Sequence, residues 1–243
     1  MPVPILLIHG AWHGGWCWER VVPLLEAAGH VVHAPTLRGL DADFAGDPPG
    51  IEDHVAEVIG LLDSEDLQGA VLVGHSWGGM VISGVADKAA HRLSALVYLD
   101  AAVPRNGDDF AAQAPGQDAE ALARRRMAFK SMAADGAWLS PPPPQMVGVS
   151  DPADAAWLTP RLRPHPLRTW LEPVAIRAEV FDPIPKTYVL ATNPPSPMMG
   201  YPAHAEHASA TAGWTRRDID CGHDMMVVAP ARTAELILEA ARG

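Results

Sequence analysis

Cysteine is scarce in this chain: there are two in 243 residues, Cys17 and Cys221, and no C-x-x-C pair. That excludes a disulfide scaffold and a thiolate metal site, and makes free thiols in a reducing, cytoplasmic compartment the expectation. Basic side chains are also short, 18 Lys and Arg against 29 Asp and Glu, for a net charge of −11. Such a surface repels a phosphate backbone or an anionic bilayer, so neither nucleic acid nor membrane is expected as a partner. No basic segment precedes the first apolar run, Val3 to Ile8. The run is too short to span a bilayer and reads as a strand, not a signal peptide. No internal repeat, phosphate-binding glycine loop or metal-ligand cluster occurs, so neither a metal nor an organic cofactor is expected. What is present, at 48% hydrophobic, suffices to bury the core of one domain spanning residues 1–243.

Order along the chain points to an α/β architecture. Continuous apolar runs at Val3–Ile8, Val31–Ala34, Ala70–Val73 and Leu93–Leu99 read as strands buried on both faces of a parallel sheet. Between them lie helical patterns: Trp18 to Ala28, stopped by Gly29; Ile51 to Leu62, with Ile51, Val55, Val58, Ile59 and Leu62 on one side; and Trp77 to Ala90. This β-α-β alternation implies right-handed crossovers. From about 104 to 185 it stops. That stretch predicts no strand, but helices such as Asp118 to Ala134 broken by Pro141–Pro144, Thr159–Pro160 and Arg163–Pro166. It reads as a helical cap inserted between two strands. The sheet resumes at Lys186–Ala191 and ends at Trp214–Ile219, with helices at Ala203–Ala212 and Pro230–Ala241. The expectation is a mainly parallel six-stranded sheet with helices on both faces.

One turn organises the chemistry. Gly74-His75-Ser76-Trp77-Gly78 follows an apolar strand and precedes a helix, matching the G-x-S-x-G turn that lifts a serine hydroxyl above a parallel sheet. A side chain at 74 or 78 would crowd the strand against the helix, and the serine itself is forced into strained backbone. A serine hydroxyl is a poor nucleophile until a base takes its proton. The chain must therefore supply an imidazole, a carboxylate to orient it, and donors for the developing oxyanion.

His223, in the loop after the last strand, stands in the chain order expected of the base; the other histidines fall in glycine turns, strands, helices or the cap. The backbone N–H groups of Trp77 and of Ala11, in the loop after the first strand, are the expected oxyanion donors. The acid is the open member. In this fold it usually follows the strand that here is Lys186–Ala191, but Thr192-Asn193-Pro194-Pro195-Ser196 holds no acid. Asp100, at the tip of the strand beside the nucleophile, is the favoured acid; Asn193 is its rival, and Asp224 is too close in sequence to the base. Trp12, Trp138 and Trp170 are candidates for an apolar substrate pocket, with cap packing as the competing role for the cap residues.

His9-Gly10-Ala11-Trp12-His13-Gly14-Gly15-Trp16, Pro23-Leu24-Leu25-Glu26-Ala27-Ala28-Gly29-His30 and Gly74-His75-Ser76-Trp77-Gly78-Gly79 together resemble one group of α/β-hydrolases. It holds plant hydroxynitrile lyases, salicylate methyl esterases and bacterial pyrethroid-type carboxylesterases. Tyr98-Leu99-Asp100-Ala101 and Gly222-His223-Asp224-Met225-Met226 resemble the bacterial branch. The resemblance implies an α/β-hydrolase fold and acyl chemistry on Ser76. The lyases carry a threonine hydroxyl and a lysine where this chain has Ala11 and Asp224, so ester hydrolysis is expected over cyanohydrin cleavage. The expected partner is a small-molecule ester; a non-hydrolytic reaction on the same scaffold, or a small-molecule sensor, remains open, as does a homodimer.

Overall fold

A computed structural model describes residues 2–114, 118–133, 135–195 and 200–242. Its strands are β1 (Pro4–Ile8), β2 (Val31–His33), β3 (Ala70–His75), β4 (Leu93–Leu99), β5 (Trp138–Leu139), β6 (His165–Pro166), β7 (Lys186–Ala191) and β8 (Trp214–Ile219). Six of them form one sheet in the order β2-β1-β3-β4-β7-β8, and every neighbouring pair is parallel. The apolar runs explain the order: β1 and β3 are almost wholly buried, as central parallel strands are. At one edge β8 carries Arg216, Arg217 and Asp218, charges that discourage pairing with a further strand.

The helices are α1 (Val22–Ala27), α2 (Ile51–Ser64), α3 (Gly78–Ala89), α4 (Ala119–Met132), α5 (Pro152–Leu158), α6 (Arg168–Leu171), α7 (Ala178–Phe181), α8 (Tyr201–Ala210), α9 (Met225–Val228) and α10 (Pro230–Ala241). Right-handed crossovers leave β1 through α1 in one direction and β3 through α3 in the other, which puts helices on both faces. In α2 the buried Ile51, Val55, Val58 and Leu62 form the expected stripe, and the Gly50 N–H donates to Asp53 Oδ2 at 2.7 Å across its first turn.

Three local expectations are corrected. The helix read from Trp18 is a 3-10 turn at Gly15–Trp18 followed by α1 from Val22; Pro23 lacks an N–H and is accommodated only in a first turn. The stretch from 104 to 185 does hold strand, the two-residue antiparallel pair β5–β6. And α8 begins at Tyr201, with Pro202 in its first turn, rather than at Ala203. Elsewhere in that stretch α4 and α5 start where aspartates cap them: Asp118 accepts from the Ala121 N–H at 2.7 Å and Asp151 from Ala153 and Asp154 at 2.9 and 3.0 Å.

Two features position the site. Beyond β1 the chain goes out to β2 and returns on the other side of β1 to β3, so the loops after β1 and β3 diverge and leave a crevice at the carboxyl ends of the strands. β4 lies between β3 and β7, with His75 opposite Leu99 and Leu99 opposite Val189. Among the described residues no helix is long and apolar enough to cross a membrane, and both cysteines are free thiols.

Candidate active site

Ser76 sits at the end of β3 in left-handed backbone, φ 55°, a conformation that costs a non-glycine residue roughly 1–3 kcal/mol. Its own neighbours hold it there. The Ser76 N–H donates to the Leu99 carbonyl at 3.1 Å, and its carbonyl accepts from the Gly79 and Ala102 N–H groups at 3.2 and 3.0 Å. The glycines are required as read: a Cβ on Gly74 would lie 2.8 Å from the Gly78 carbonyl oxygen, and one on Gly78 2.7 Å from that of His9. Ser76 is half-buried. Among the described residues Ser76, Trp12 and Asp100 share the crevice's left-handed, non-glycine geometry, with φ 55°, 66° and 43°; the only other such residue is Asp66.

The turn after β8 brings His223 over the strand ends. Its Nδ1 donates to Asp100 Oδ2 at 2.6 Å, a carboxylate oxygen being an acceptor. Asp100 is fully buried and doubly committed: Oδ1 accepts from the Ala191 N–H at 3.2 Å, and its own N–H donates to the Val189 carbonyl at 2.7 Å. Asn193, the rival, is exposed and meets this loop through its backbone N–H, which donates to the Cys221 carbonyl. Asp224 makes its hydrogen bond elsewhere than to His223. Its Oδ2 accepts from His13 Nε2 at 3.0 Å, both groups fully buried or nearly so.

Behind the base lies a histidine cluster that sequence reasoning set aside as turn residues. His75 Nε2 donates to the His223 carbonyl at 3.0 Å, fixing the backbone of the base. Burial, with His223 nearby, drives the His75 pKa well below its ordinary 6.5, so this ring is neutral. His13 goes the other way: burial opposes its charge, but the Asp224 carboxylate and their hydrogen bond outweigh it and raise the pKa. Burial likewise opposes the Asp224 charge, and His13 outweighs it to hold that carboxyl below its usual range. His75, His223 and Asp224 each bring a ligand-type atom within 4.8 Å of the others. The His75 nitrogen facing Asp224, at 3.8 Å, is the one already donating to a carbonyl, while His75 Nδ1 and Asp224 Oδ1 are buried without a hydrogen-bond partner among the described residues.

The two expected oxyanion donors differ from their neighbour in their hydrogen bonding. Among the described residues neither the Ala11 nor the Trp77 N–H donates a hydrogen bond within the protein, whereas the neighbouring Trp12 N–H is spent on His165 Nδ1 at 3.3 Å. One residue was missed altogether. Tyr201, first in α8, puts its hydroxyl 3.2 Å from Ser76 Oγ and lays its ring parallel to His223, centroids 5.3 Å apart at 9°. The bond of Ser76 Oγ is to this phenol; among the described residues none joins it to His223. The sequence carried no signal for it, because Pro202 reads as a loop residue.

The three tryptophans differ in their surroundings. Trp170 is 1% exposed and packed by Phe110, Phe129 and Trp12 at ring distances of 4.8, 4.7 and 5.4 Å, so it serves the cap's own core. Trp12 donates its Nε1–H to the Leu139 carbonyl at 3.0 Å, and the half-buried Trp138 meets Phe44. A groove of about 660 Å³ lies between the start of the cap, α7 and α8, with walls that include Val103, Arg105, Phe181, His204 and Trp214; neither Ser76 nor the three tryptophans line it.

Comparison with known proteins fits this geometry. A family model described as "Alpha/beta hydrolase family" matches residues 5–236. The chain is 37% identical over 237 residues, 95% of its own length and 96% of the relative's, to the carbendazim hydrolyzing esterase of a Nocardioides species. It is 38% identical over 102 residues to salicylic acid-binding protein 2 of Nicotiana tabacum, a match covering 41% of this chain and 39% of that one. Among solved structures, an extracellular alpha/beta-hydrolase from a Paenibacillus species superposes over the whole of both chains with a TM-score of 0.82 at 25% identity. A pyrethroid hydrolase from Sphingobium faniae shares the fold, covering 100% of this chain and 98% of that one with a TM-score of 0.78 at 22% identity. With its parallel sheet, its serine elbow and a family match running through nearly all of its length, the chain belongs to the α/β-hydrolase family.

Proposed function

We propose that this hydrolase is a serine carboxylesterase of small to medium, fairly apolar esters. The observation that carries the reading is the buried His223–Asp100 pair, 2.6 Å apart, on the same strand ends as a serine held in left-handed backbone. An esterase relative matched over nearly its whole length supports the reaction class. In the mechanism, His223 Nε2 takes the Ser76 proton as Oγ attacks the ester carbonyl. Asp100 keeps the ring in the accepting tautomer and balances the imidazolium. The carbonyl oxygen becomes an oxyanion facing the Ala11 and Trp77 N–H groups, each such donor being worth about 3–4 kcal/mol in the transition state. Collapse breaks the C–O bond to the alcohol, which leaves with the proton from Nε2. Water, activated by the same imidazole, then hydrolyses the acyl-enzyme. The reaction as written draws on no metal or organic cofactor. The Ser76 hydroxyl rests on Tyr201, and the mechanism requires it to swing to the imidazole; hydrogen bonds of free enzymes commonly tighten only with substrate.

The test is covalent. A fluorophosphonate should add one equivalent to the unmutated chain, mapped to Ser76 by peptide mass, and Ser76→Ala should lose both the adduct and p-nitrophenyl butyrate hydrolysis. An Ser76→Ala chain that still turns over esters sinks the proposal. Methyl esters and carbendazim belong in the substrate panel because of the relatives' names.

A further inference from the structure

The first turn of α8 delivers into this site a group that the steps above leave idle. Tyr201 is 2% exposed, bonded to the attacking oxygen at 3.2 Å and stacked on the base at 5.3 Å. Burial raises its phenol far above the ordinary value of 10, with the Asp100 and Asp224 charges adding to the effect and the Ser76 bond opposing it. The phenol therefore keeps its proton throughout the working range and has a hydrogen bond to donate, though not a proton to accept.

Where that donor can act follows from counting sites on Ser76 Oγ, which has one proton and two lone pairs. During attack the proton goes to His223 and one lone pair to the carbonyl carbon. The oxyanion turns toward the backbone donors of Ala11 and Trp77. The alcohol oxygen must instead lie near the imidazole that will protonate it. A hydroxyl that touches Oγ and belongs to a ring stacked on that imidazole stands beside the alcohol oxygen. We infer that Tyr201 is a further catalytic residue, donating a hydrogen bond to the departing alkoxide oxygen during acyl transfer. The inference rests on Ser76 as nucleophile and His223 as base.

The step balances without any added reactant. The bond between the tetrahedral carbon and the alcohol oxygen breaks, and its electron pair stays on that oxygen. The proton on His223 Nε2 moves to it and the imidazole becomes neutral. Tyr201 keeps its own proton and only lends a hydrogen bond while charge is building. Its contribution therefore grows with the charge on the leaving oxygen: large for a methanol leaving group, small for p-nitrophenol, whose ring already disperses the charge.

That dependence is the readout. Butyrate esters of methanol, trifluoroethanol, phenol and p-nitrophenol would be compared by kcat/KM, which covers only the steps through acylation. Tyr201→Phe keeps the stacked ring and removes only the hydroxyl. The expected loss is about 30-fold on the methyl ester and under about threefold on the p-nitrophenyl ester. An equal loss across the series, as from a displaced site, overturns the inference, and so does no loss or a gain. Should Tyr201→Phe melt early, 3-fluorotyrosine is placed throughout the unmutated chain. The other two tyrosines, Tyr98 and Tyr188, bond Ser83 and the Ala101 carbonyl and not Ser76. The more acidic phenol should raise the methyl-to-p-nitrophenyl rate ratio about twofold; an unchanged ratio overturns the inference. Fluorophosphonate labelling separates this failure from that of the esterase reading: Tyr201→Phe keeps its adduct at Ser76, whereas an active Ser76→Ala chain refutes the nucleophile whatever Tyr201 does.

Discussion

Replacing Asp100 with Asn tests the site at the member the sequence left open. The carboxylate accepts two hydrogen bonds at once, from His223 Nδ1 at 2.6 Å and from the Ala191 N–H at 3.2 Å. An amide of the same shape offers one accepting oxygen and one donating NH2. If the oxygen stays with Ala191, the NH2 faces Nδ1 and drives the ring proton to Nε2, where it blocks acceptance of the serine proton. If the oxygen stays with His223, a donor is pressed against the Ala191 N–H in a fully buried place, and the charge that balanced the imidazolium is gone. Asn adopts φ near 43° readily, so the fold should survive. The same exchange in a serine protease costs about 10⁴ in rate, which corresponds to about 5 kcal/mol of transition-state stabilisation. The assay is kcat/KM on p-nitrophenyl butyrate with a thermal melt beside it. Activity within about tenfold of the unmutated enzyme, in a chain that melts normally, would refute the assignment. Asn193→Ala, at an exposed side chain, should change the rate by less than about threefold.

Two further outcomes follow from the packing. Asp224→Asn should destabilise by about 3 kcal/mol, since it strands His13 in the interior, and the difference should vary with pH. The raised His13 pKa adds stability that is full below 6.5 and fades as pH climbs through the folded value; the lowered Asp224 pKa adds stability that is full above 3.8 and fades as pH falls below it. Urea midpoints should thus separate most between about 3.8 and 6.5 and draw together as pH rises well above or falls well below that window; a pH-independent gap contradicts the pairing. Trp170→Ala, which empties a site 1% exposed among three aromatic rings, should cost about 3–5 kcal/mol by urea unfolding, and a loss below about 1 kcal/mol would show that the cap core collapses to fill the hole.

What could be read from the sequence was whatever local patterning encodes. Apolar runs marked the strands, glycines at 74 and 78 marked the elbow, and chain order marked His223. What could not be read depends on contacts between distant segments. His13 and His75 looked like turn residues, yet the first meets a carboxylate 211 positions away and the second a carbonyl 148 away. Tyr201 lies 125 residues from the serine it touches. The tryptophans could not be sorted from sequence for a related reason: an indole that lines a cavity and one that fills a core have the same hydropathy, and it is the surrounding rings that place Trp170 in a core.

The position of the proposed acid, Asp100, illustrates how a sheet can set up such chemistry. The resemblance leads to an acid after β7, and that loop has none, but β4 lies directly beside β7 with Leu99 opposite Val189. One residue past Leu99 the chain bends into left-handed backbone, donates its N–H to the Val189 carbonyl and takes the Ala191 N–H on its side chain. Asp100 is thus stitched to the end of β7 while belonging to β4. Neighbouring strands are about 4.8 Å apart, less than the reach of an imidazole and a carboxylate set end to end. A ring descending from the loop after β8 can therefore meet a carboxylate on either strand. The geometry asks only that the acid be buried, pinned and aimed at Nδ1, and the strained turn at 100 supplies all three from the strand that also anchors Ser76 through its Leu99 and Ala102 bonds.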